Sequence, residues 1–158
     1  MDDKLKFTEQ CNNAVRNADI TLGMIKRTIS NKSKKIVTKL YKSLIRPKLE
    51  YCVQAWRPYL KKDIESIERV QHRATKMIKE IKNVSYEERL VVTNLTTLDD
   101  RRTRGDLNEV LKMLKGLSNV DYREFFKISV NRKTKGHRMK LEINRSKSNI
   151  RKYFSVSE

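Results

Sequence analysis

Residues 33–47 read SKKIVTKLYKSLIRP, and we call them the decisive stretch because their apolar and basic residues together predict the class of fold and its charged surface. Its apolar side chains recur at the spacing of one α-helix face, and they are Ile36, Val37, Leu40 and Leu44. Ser33 is a candidate N-cap, because its hydroxyl can accept a hydrogen bond from the first turn. Pro47 is expected to break or kink this helix and to begin a short one, since proline lacks an N–H and has a fixed φ. The short helix would hold Leu49, Cys52, Val53 and Trp56.

The face of this helix opposite the apolar side chains is basic. At about 100° per residue, its cations fall within an arc of roughly 60°, and they are Lys35, Lys39, Lys42 and Arg46. Residues 20–49 contain no carboxylate to pair with them, whereas an ordinary solvated helix face mixes both signs. We interpret this face as a contact for a phosphate backbone, with a solvated surface as the alternative. Tyr41 flanks it and is a candidate for stacking on a sugar or base, or for half-burial.

The net charge of +18 is concentrated in two stretches of the chain. Residues 26–48 carry nine Lys and Arg and no acid, while residues 127–153 carry ten against one acid, which leaves +9 in each. Such a field opposes compaction unless an anionic partner offsets it. Nucleic acid is the first candidate partner and an anionic membrane surface is a distant one. No apolar run approaches the roughly 20 residues that span a bilayer, and the basic helix lacks the exposed Trp and Phe belt of an interfacial anchor, so no membrane partner is expected.

Helical periodicity continues on both sides of the decisive stretch. A first helix is predicted from Phe7, Cys11, Val15, Ala18, Leu22, Ile25 and Ile29. A third is predicted from Ile64, Ile67, Gln71, Ala74, Ile78 and Ile81, with antiparallel packing against the first. Thr8 is the candidate N-cap of the first helix, Ser85 and Glu88 have the spacing of a capping box, and a longer helix runs from Thr97 to Gly116.

These patterns predict a mainly α fold. Only four Gly and two Pro interrupt the chain, which disfavours a fold of many tight hairpins. We expect a small antiparallel helical bundle over residues 1–82, additional helices packed on it over residues 83–126, and a basic tail over residues 127–158. In the tail, Met139, Leu141 and Ile143 alternate with charged residues, which predicts a short strand paired with residues 150–154. Partial disorder of the tail is the alternative.

The tail is the second candidate contact for an anionic polymer. Its candidate residues are Arg132, Lys133, Lys135, Arg138 and Lys140. They suit a clamp on a nucleic-acid backbone, a disordered arm or a nuclear-targeting patch, and composition does not separate these alternatives.

No constellation of residues predicts catalysis. Metal-dependent phosphoryl transfer needs carboxylates that converge on Mg²⁺. The two adjacent pairs are Asp2-Asp3, near the N-terminus with no strand before it, and Asp99-Asp100, in the first turn of a helix where acids favour the dipole. His72 and His137 have no obvious nucleophile or ligand partner in the sequence. We therefore expect no enzymatic activity, cofactor or metal in this chain.

The two cysteines indicate an intracellular protein. Cys11 and Cys52 lack the spacing of zinc ligands, and they are predicted to be buried, reduced thiols. The N-terminus has no signal-peptide pattern, so we expect a nuclear or cytoplasmic location.

Several blocks of the sequence resemble one known family. The run from Leu40 to Cys52, continuing to Trp56 and to Pro58-Tyr59-Leu60, is similar to the thumb of jockey-like LINE (non-LTR) retrotransposon reverse transcriptases. Further blocks agree in order along the chain, and they are residues 3–7, residues 70–76, residues 95–98, Arg101-Arg102, residues 105–107 and Gly136-His137. The resemblance covers nearly the whole chain.

The resemblance implies a parent enzyme, an RNA-directed DNA polymerase that copies element RNA at a nicked chromosomal target. The fingers, the palm with its metal-binding carboxylates and the endonuclease are not in this sequence, so polymerase activity is not carried over. In such polymerases the thumb packs a helix against the primer-template duplex. The implied function is binding to a duplex or RNA–DNA hybrid backbone without sequence specificity, with the missing palm and fingers as a further partner. The alternative is a helical interaction module or a transposon remnant.

Overall fold

Helices account for most of the described chain. The computed structural model describes residues 7–52, 56–128 and 141–142. The α-helices are α1 (Thr8–Thr28), α2 (Lys34–Leu40), α3 (Arg46–Glu50), α4 (Lys61–Lys76), α5 (Tyr86–Thr93) and α6 (Leu98–Leu114). A π-helical segment occupies Tyr41–Ile45, and 3-10 turns lie at Lys79–Ile81 and Tyr122–Glu124. The predicted mainly α class is confirmed.

The decisive stretch is one helical run from Lys34 to Glu50 with a wider winding in its middle. In the π segment, the N–H of Arg46 donates to the carbonyl oxygen of Tyr41, five residues earlier. Pro47 follows directly and lies in the first turn of α3. A wider turn accommodates the proline ring, which would otherwise clash with the carbonyl four residues before it. The helical run therefore continues through the predicted break.

The π segment also changes which side chains are buried. An extra residue in one turn rotates the following side chains by about 100° relative to an uninterrupted α-helix. The buried positions are Val37, Tyr41, Ile45 and Leu49, with exposures of 4%, 2%, 1% and 0%. Leu44, predicted on the apolar face, is 46% exposed, so its assignment was wrong. The helix ends at Glu50, which leaves Cys52 exposed outside it rather than buried.

Two side-chain contacts show the direction of α4 relative to α1. Thr8 Oγ1 donates to Asp63 Oδ2 at 2.8 Å, and Arg73 Nη2 donates to Asp19 Oδ1 at 2.6 Å. Early residues of one helix therefore meet early residues of the other, and the two helices run parallel. The expectation that they pack antiparallel was wrong, because the run from Lys34 to Glu50 first returns the chain to the start of α1.

That returning run is antiparallel to α4. The carboxylate of Glu80, just past the end of α4, accepts a hydrogen bond from the N–H of Lys34 at 3.1 Å, and Tyr41 Oη reaches Gln71 Oε1 at 2.6 Å. The three segments thus pack up, down and up. Their shared core has fully buried side chains from each of them, including Cys11, Ile45, Leu49, Ile67 and Val70.

Sequence signals for the helix ends are confirmed at most positions after residue 80. Ser85 and Glu88 make the reciprocal bonds of a capping box. Thr97 Oγ1 accepts from the N–H of Asp100 at 3.1 Å, and Gly116 has φ 67° after the end of α6. Thr8 is wrong as a cap, because it is the first helical residue and its hydroxyl binds Asp63.

The start of α6 is fastened to the end of α3 by two arginines. Arg101 donates to both carboxylate oxygens of Glu50, at 2.6 and 3.1 Å. Arg102 is 3% exposed, and it donates from Nη2 to the carbonyl of Leu49 at 3.2 Å. Its guanidinium carbon lies 5.8 Å from the ring centroid of Trp56. Burial of this cation lowers the pKa of Arg102.

The chain divides into two compact units, Met1–Arg102 and Thr103–Glu158. In the second unit, the described residues include the rest of α6, the turn at Tyr122–Glu124 and one antiparallel bridge between Ile128 and Leu141. Leu141, predicted within a short strand, forms this isolated bridge, while Met139, Ile143 and the partner expected for the strand, residues 150–154, lie outside the described residues. The predicted division at residues 82 and 126 remains a prediction.

Candidate nucleic-acid interface

The exposed side of α2 carries a surface made of lysines and hydroxyls. An open depression of about 540 Å³ is lined by Lys34, Lys35, Thr38, Lys39, Lys42, Ser43 and Thr93. We call the four lysines the helix patch. No lining residue is acidic, so the patch offers cations and hydrogen-bond donors without a competing carboxylate.

The fold presents the patch by anchoring the opposite side of the same helix. Val37 packs on Ile78 and Ile81, and Tyr41 and Ile45 are buried in the main core. Glu80 accepts from the N–H of Lys34 and thereby satisfies a free donor in the first turn of α2. The lysine side chains therefore project from a helix that is held on its other side.

Three of the four predicted helix cations come together in this surface. Lys35, Lys39 and Lys42 are exposed and line the same depression. Lys34 joins them, although the predicted arc did not include it. The signal for Lys34 was available, because Lys34, Thr38 and Lys42 are spaced by four and form one row of a helix.

Arg46 is not among the residues that line the depression. It follows the π turn and is half-buried, with its guanidinium carbon 5.9 Å from the ring centroid of Tyr41. Within the described part of the chain, Arg46 Nε is buried without a hydrogen-bond partner. The predicted arc assumed a regular α-helix, and the wider turn separates this residue from the lysines.

Tyr41 is buried in the core, on the side of the helical run opposite the patch. Its hydroxyl donates to Gln71 Oε1, so the ring is not available to stack on a base. Burial raises the pKa of Tyr41 far above its ordinary value, which keeps the hydroxyl a donor.

Gln71 connects Tyr41 to the helices on the other side. Its amide nitrogen donates to Tyr86 Oη at 3.0 Å and to the carbonyl of Thr96 at 3.0 Å. Tyr86 in turn donates to Glu68, whose other oxygen accepts from the N–H of Leu98 at 2.9 Å. The sequence did not predict this network. Gln71 lies at an apolar position of the heptad pattern, and the pattern does not indicate which distant residues its amide contacts.

The five predicted tail residues lie outside the described residues, and they are Arg132, Lys133, Lys135, Arg138 and Lys140. Their role stays a prediction.

Alternative chemistries have little support in the described part of the chain. No group of three or more His, Cys, Asp or Glu residues there is arranged to hold a metal ion. Asp100 bonds to Thr97 in the helix cap, and Asp99 lies 3.8 Å from Arg57. None of the described helices combines the length and apolar character needed to cross a membrane.

No protein-family model matches this chain, and neither a curated protein nor a solved structure was found to match it.

Proposed function

We propose that this chain is the thumb and following segment of a jockey-like LINE reverse transcriptase and that it binds the backbone of duplex or hybrid nucleic acid without sequence specificity. The helix patch is the proposed contact. The chain holds no carboxylate set for phosphoryl transfer in its described part, and we propose that it has no polymerase activity alone.

One observation carries the binding proposal. Four lysines and three hydroxyl-bearing residues share one open surface on which no carboxylate occurs. A duplex presents phosphates in regular rows, which match cations repeated along a helix face. The depression holds no Arg, Asn or Gln, whose planar groups make paired hydrogen bonds to one base. Lysine ammonium groups are flexible point charges that suit phosphate oxygens, and backbone contact without sequence preference is therefore the mode we propose.

The test is the salt dependence of duplex binding. Each phosphate that a protein neutralises on DNA contributes about −0.9 to the slope of log affinity against log salt concentration. We expect the variant K35Q/K39Q/K42Q to have a slope shallower by about 2 to 3 than the parent chain. The measurement is fluorescence anisotropy on a labelled duplex and on an RNA–DNA hybrid of the same length.

A matched variant controls for the loss of net charge. K61Q/K62Q/K115Q also removes three positive charges, and all three of its lysines are exposed outside the patch. Its slope should stay close to that of the parent chain. An equal slope in the two variants would show that the patch is not the contact.

A second candidate function is that of an interaction module, and exposed apolar side chains favour it. In the second unit, Leu107 is 52% exposed, Leu117 is 74% exposed and Phe125 is 64% exposed. Burial of exposed apolar groups beneath a partner lowers the free energy of the system. This candidate predicts that binding to nucleic acid is weak and does not distinguish a hybrid from other polyanions.

A further inference from the structure

A second concentration of cations lies where the C-terminal ends of α1 and α4 meet. It surrounds an open groove of about 600 Å³, and its cations are Lys26, Lys32, Arg73, Lys76, Lys79 and Lys82. They come from α1, the connection after it, α4 and the turn after α4. We call this site the lysine groove. No single stretch of sequence contains it, because the parallel packing of α1 and α4 assembles it.

Most of the positive charge in the lysine groove is uncompensated. Asp19 is the one acid that lines it, and both oxygens of Asp19 accept from Arg73 Nη2, at 2.6 and 2.8 Å. None of the five lysines forms an ion pair with another residue in the described chain. Five like charges around one concavity repel one another, and an anion that enters it removes that repulsion.

Helix dipoles explain only part of this arrangement. Lys26 and Lys76 lie in the last turns of α1 and α4, where cations favour the dipole. Lys32, Lys79 and Lys82 lie beyond those helix ends, where the effect of the dipole has fallen off. The N–H of Lys79 donates to the carbonyl of Lys32 at 3.4 Å, so the backbone holds these two cationic residues side by side.

The residues that line the lysine groove indicate which kind of anion it suits. The cations of the lysine groove come from four segments of the chain and converge on one concavity, whereas the lysines of the helix patch follow a single helical run. A single strand normally binds through aromatic side chains that stack on its bases, and no lining residue is aromatic. Leu22 and Met77 also line the groove, and their side chains carry no oxygen that would repel a phosphate. These features fit a compact molecule that carries several phosphates.

We infer that the lysine groove is a binding site for a compact polyphosphate, a small molecule with several phosphate groups arranged around a ring or short chain. A planar carboxylate or base is best recognised by the planar guanidinium of an arginine, whereas lysine ammonium groups act as point charges. Several lysines therefore suit a ligand that carries several phosphates. Arg73 is paired with Asp19, so it lines the groove without adding unpaired charge. The inference does not depend on the proposed duplex contact, since it uses other residues and another ligand.

The test is isothermal titration calorimetry of the full chain with inositol hexakisphosphate at about 0.15 M salt, where weak surface attractions are largely screened. We expect one site per chain. The variant K26Q/K79Q/K82Q, in which all three lysines are exposed, should bind about tenfold more weakly or worse. Circular dichroism of each variant verifies that the helices remain.

Two controls separate the lysine groove from general charge and from the duplex contact. K61Q/K62Q/K115Q has the same net charge as the groove variant and should bind inositol hexakisphosphate as the parent chain does. K35Q/K39Q/K42Q should also retain that binding while its duplex salt slope changes. The duplex test and the polyphosphate test can therefore fail separately.

Three results would overturn the inference. The first is the absence of heat or saturation with inositol hexakisphosphate. The second is an equal loss of affinity in the groove variant and in K61Q/K62Q/K115Q, which would indicate bulk attraction. The third is tighter binding of a single-stranded oligothymidylate that depends on the same three lysines, which would make a nucleic-acid strand the occupant.

Discussion

Arg89 is a buried cation whose close partner is a histidine rather than a carboxylate. It is 3% exposed, and its Nη2 lies 3.0 Å from Nε2 of His72. Arginine only donates hydrogen bonds, so His72 Nε2 must be the acceptor and the imidazole must be neutral in this contact. Burial, then Arg89 and then Lys76 lower the pKa of His72 below its ordinary 6.5, against a smaller opposing effect of Glu87 and Glu68.

This pair predicts that stability falls in mild acid. Because the pKa of His72 is lower in the folded chain than in the unfolded chain, the unfolded state binds more protons below about pH 6.5. The contribution of His72 is therefore complete above that pH and is lost as the pH falls toward the lowered pKa. Urea unfolding between about pH 5 and 8 measures it.

The variant H72Q tests the origin of this pH dependence. A glutamine side-chain oxygen can accept from Arg89 but does not titrate in this range. We expect the decline of unfolding free energy between about pH 6.5 and 5 to be shallower in H72Q. An unchanged decline would mean that other groups, such as carboxylates, cause it.

At the scale of the element, the π segment is the feature that decides which residues are in the core. An uninterrupted helix would have buried Leu44, whereas the observed winding buries Ile45. The burial of residues 44 and 45 therefore distinguishes a π-helical turn from an uninterrupted α-helix.

Alanine substitutions at these positions give a direct measurement. Ile45→Ala should lower the free energy of unfolding by about 2 to 4 kcal/mol, because it leaves a cavity in the main core. Leu44→Ala should change it by less than about 0.5 kcal/mol, since that side chain is largely solvated. Urea denaturation at one temperature compares them, and the reverse order of costs would contradict the π-helical winding.

Helix ends after residue 80 were predictable, because they depend on local chemistry. The Ser85 capping box and the left-handed Gly116 follow from residue type and spacing within a few positions. The winding at Tyr41–Ile45 was not predictable in the same way, since helical periodicity assumes a constant number of residues per turn. Three of the four helix-face cations were still placed together because they precede most of that turn.

At the scale of the whole molecule, two concave surfaces of the first unit gather ten of its lysines and arginines. Lys32 lines the lysine groove and Lys34 lines the helix patch, only two positions further along the chain. The patch was visible in the sequence because one helix carries it. The groove was not, because it requires the parallel placement of α1 and α4, which no local pattern specifies.

The charge predicts that salt stabilises the folded chain. A net charge of +18 opposes compaction, and added ions screen that repulsion. The melting temperature should rise between about 0.02 and 0.3 M NaCl. A variant that combines K26Q/K79Q/K82Q with K35Q/K39Q/K42Q should show a smaller rise. A melting temperature that is independent of salt would indicate that the described lysines are too far apart to repel.

Cys52 lies just beyond α3, exposed, with φ 51°. The other cysteine, Cys11, is fully buried, and burial raises the pKa of its thiol to about 11. The thiolate is the nucleophile that attacks a maleimide, so at neutral pH this reagent should modify the exposed Cys52 and leave Cys11 intact. The natural chain thus carries its own attachment point for a fluorophore or spin label, and binding can be followed without an engineered cysteine.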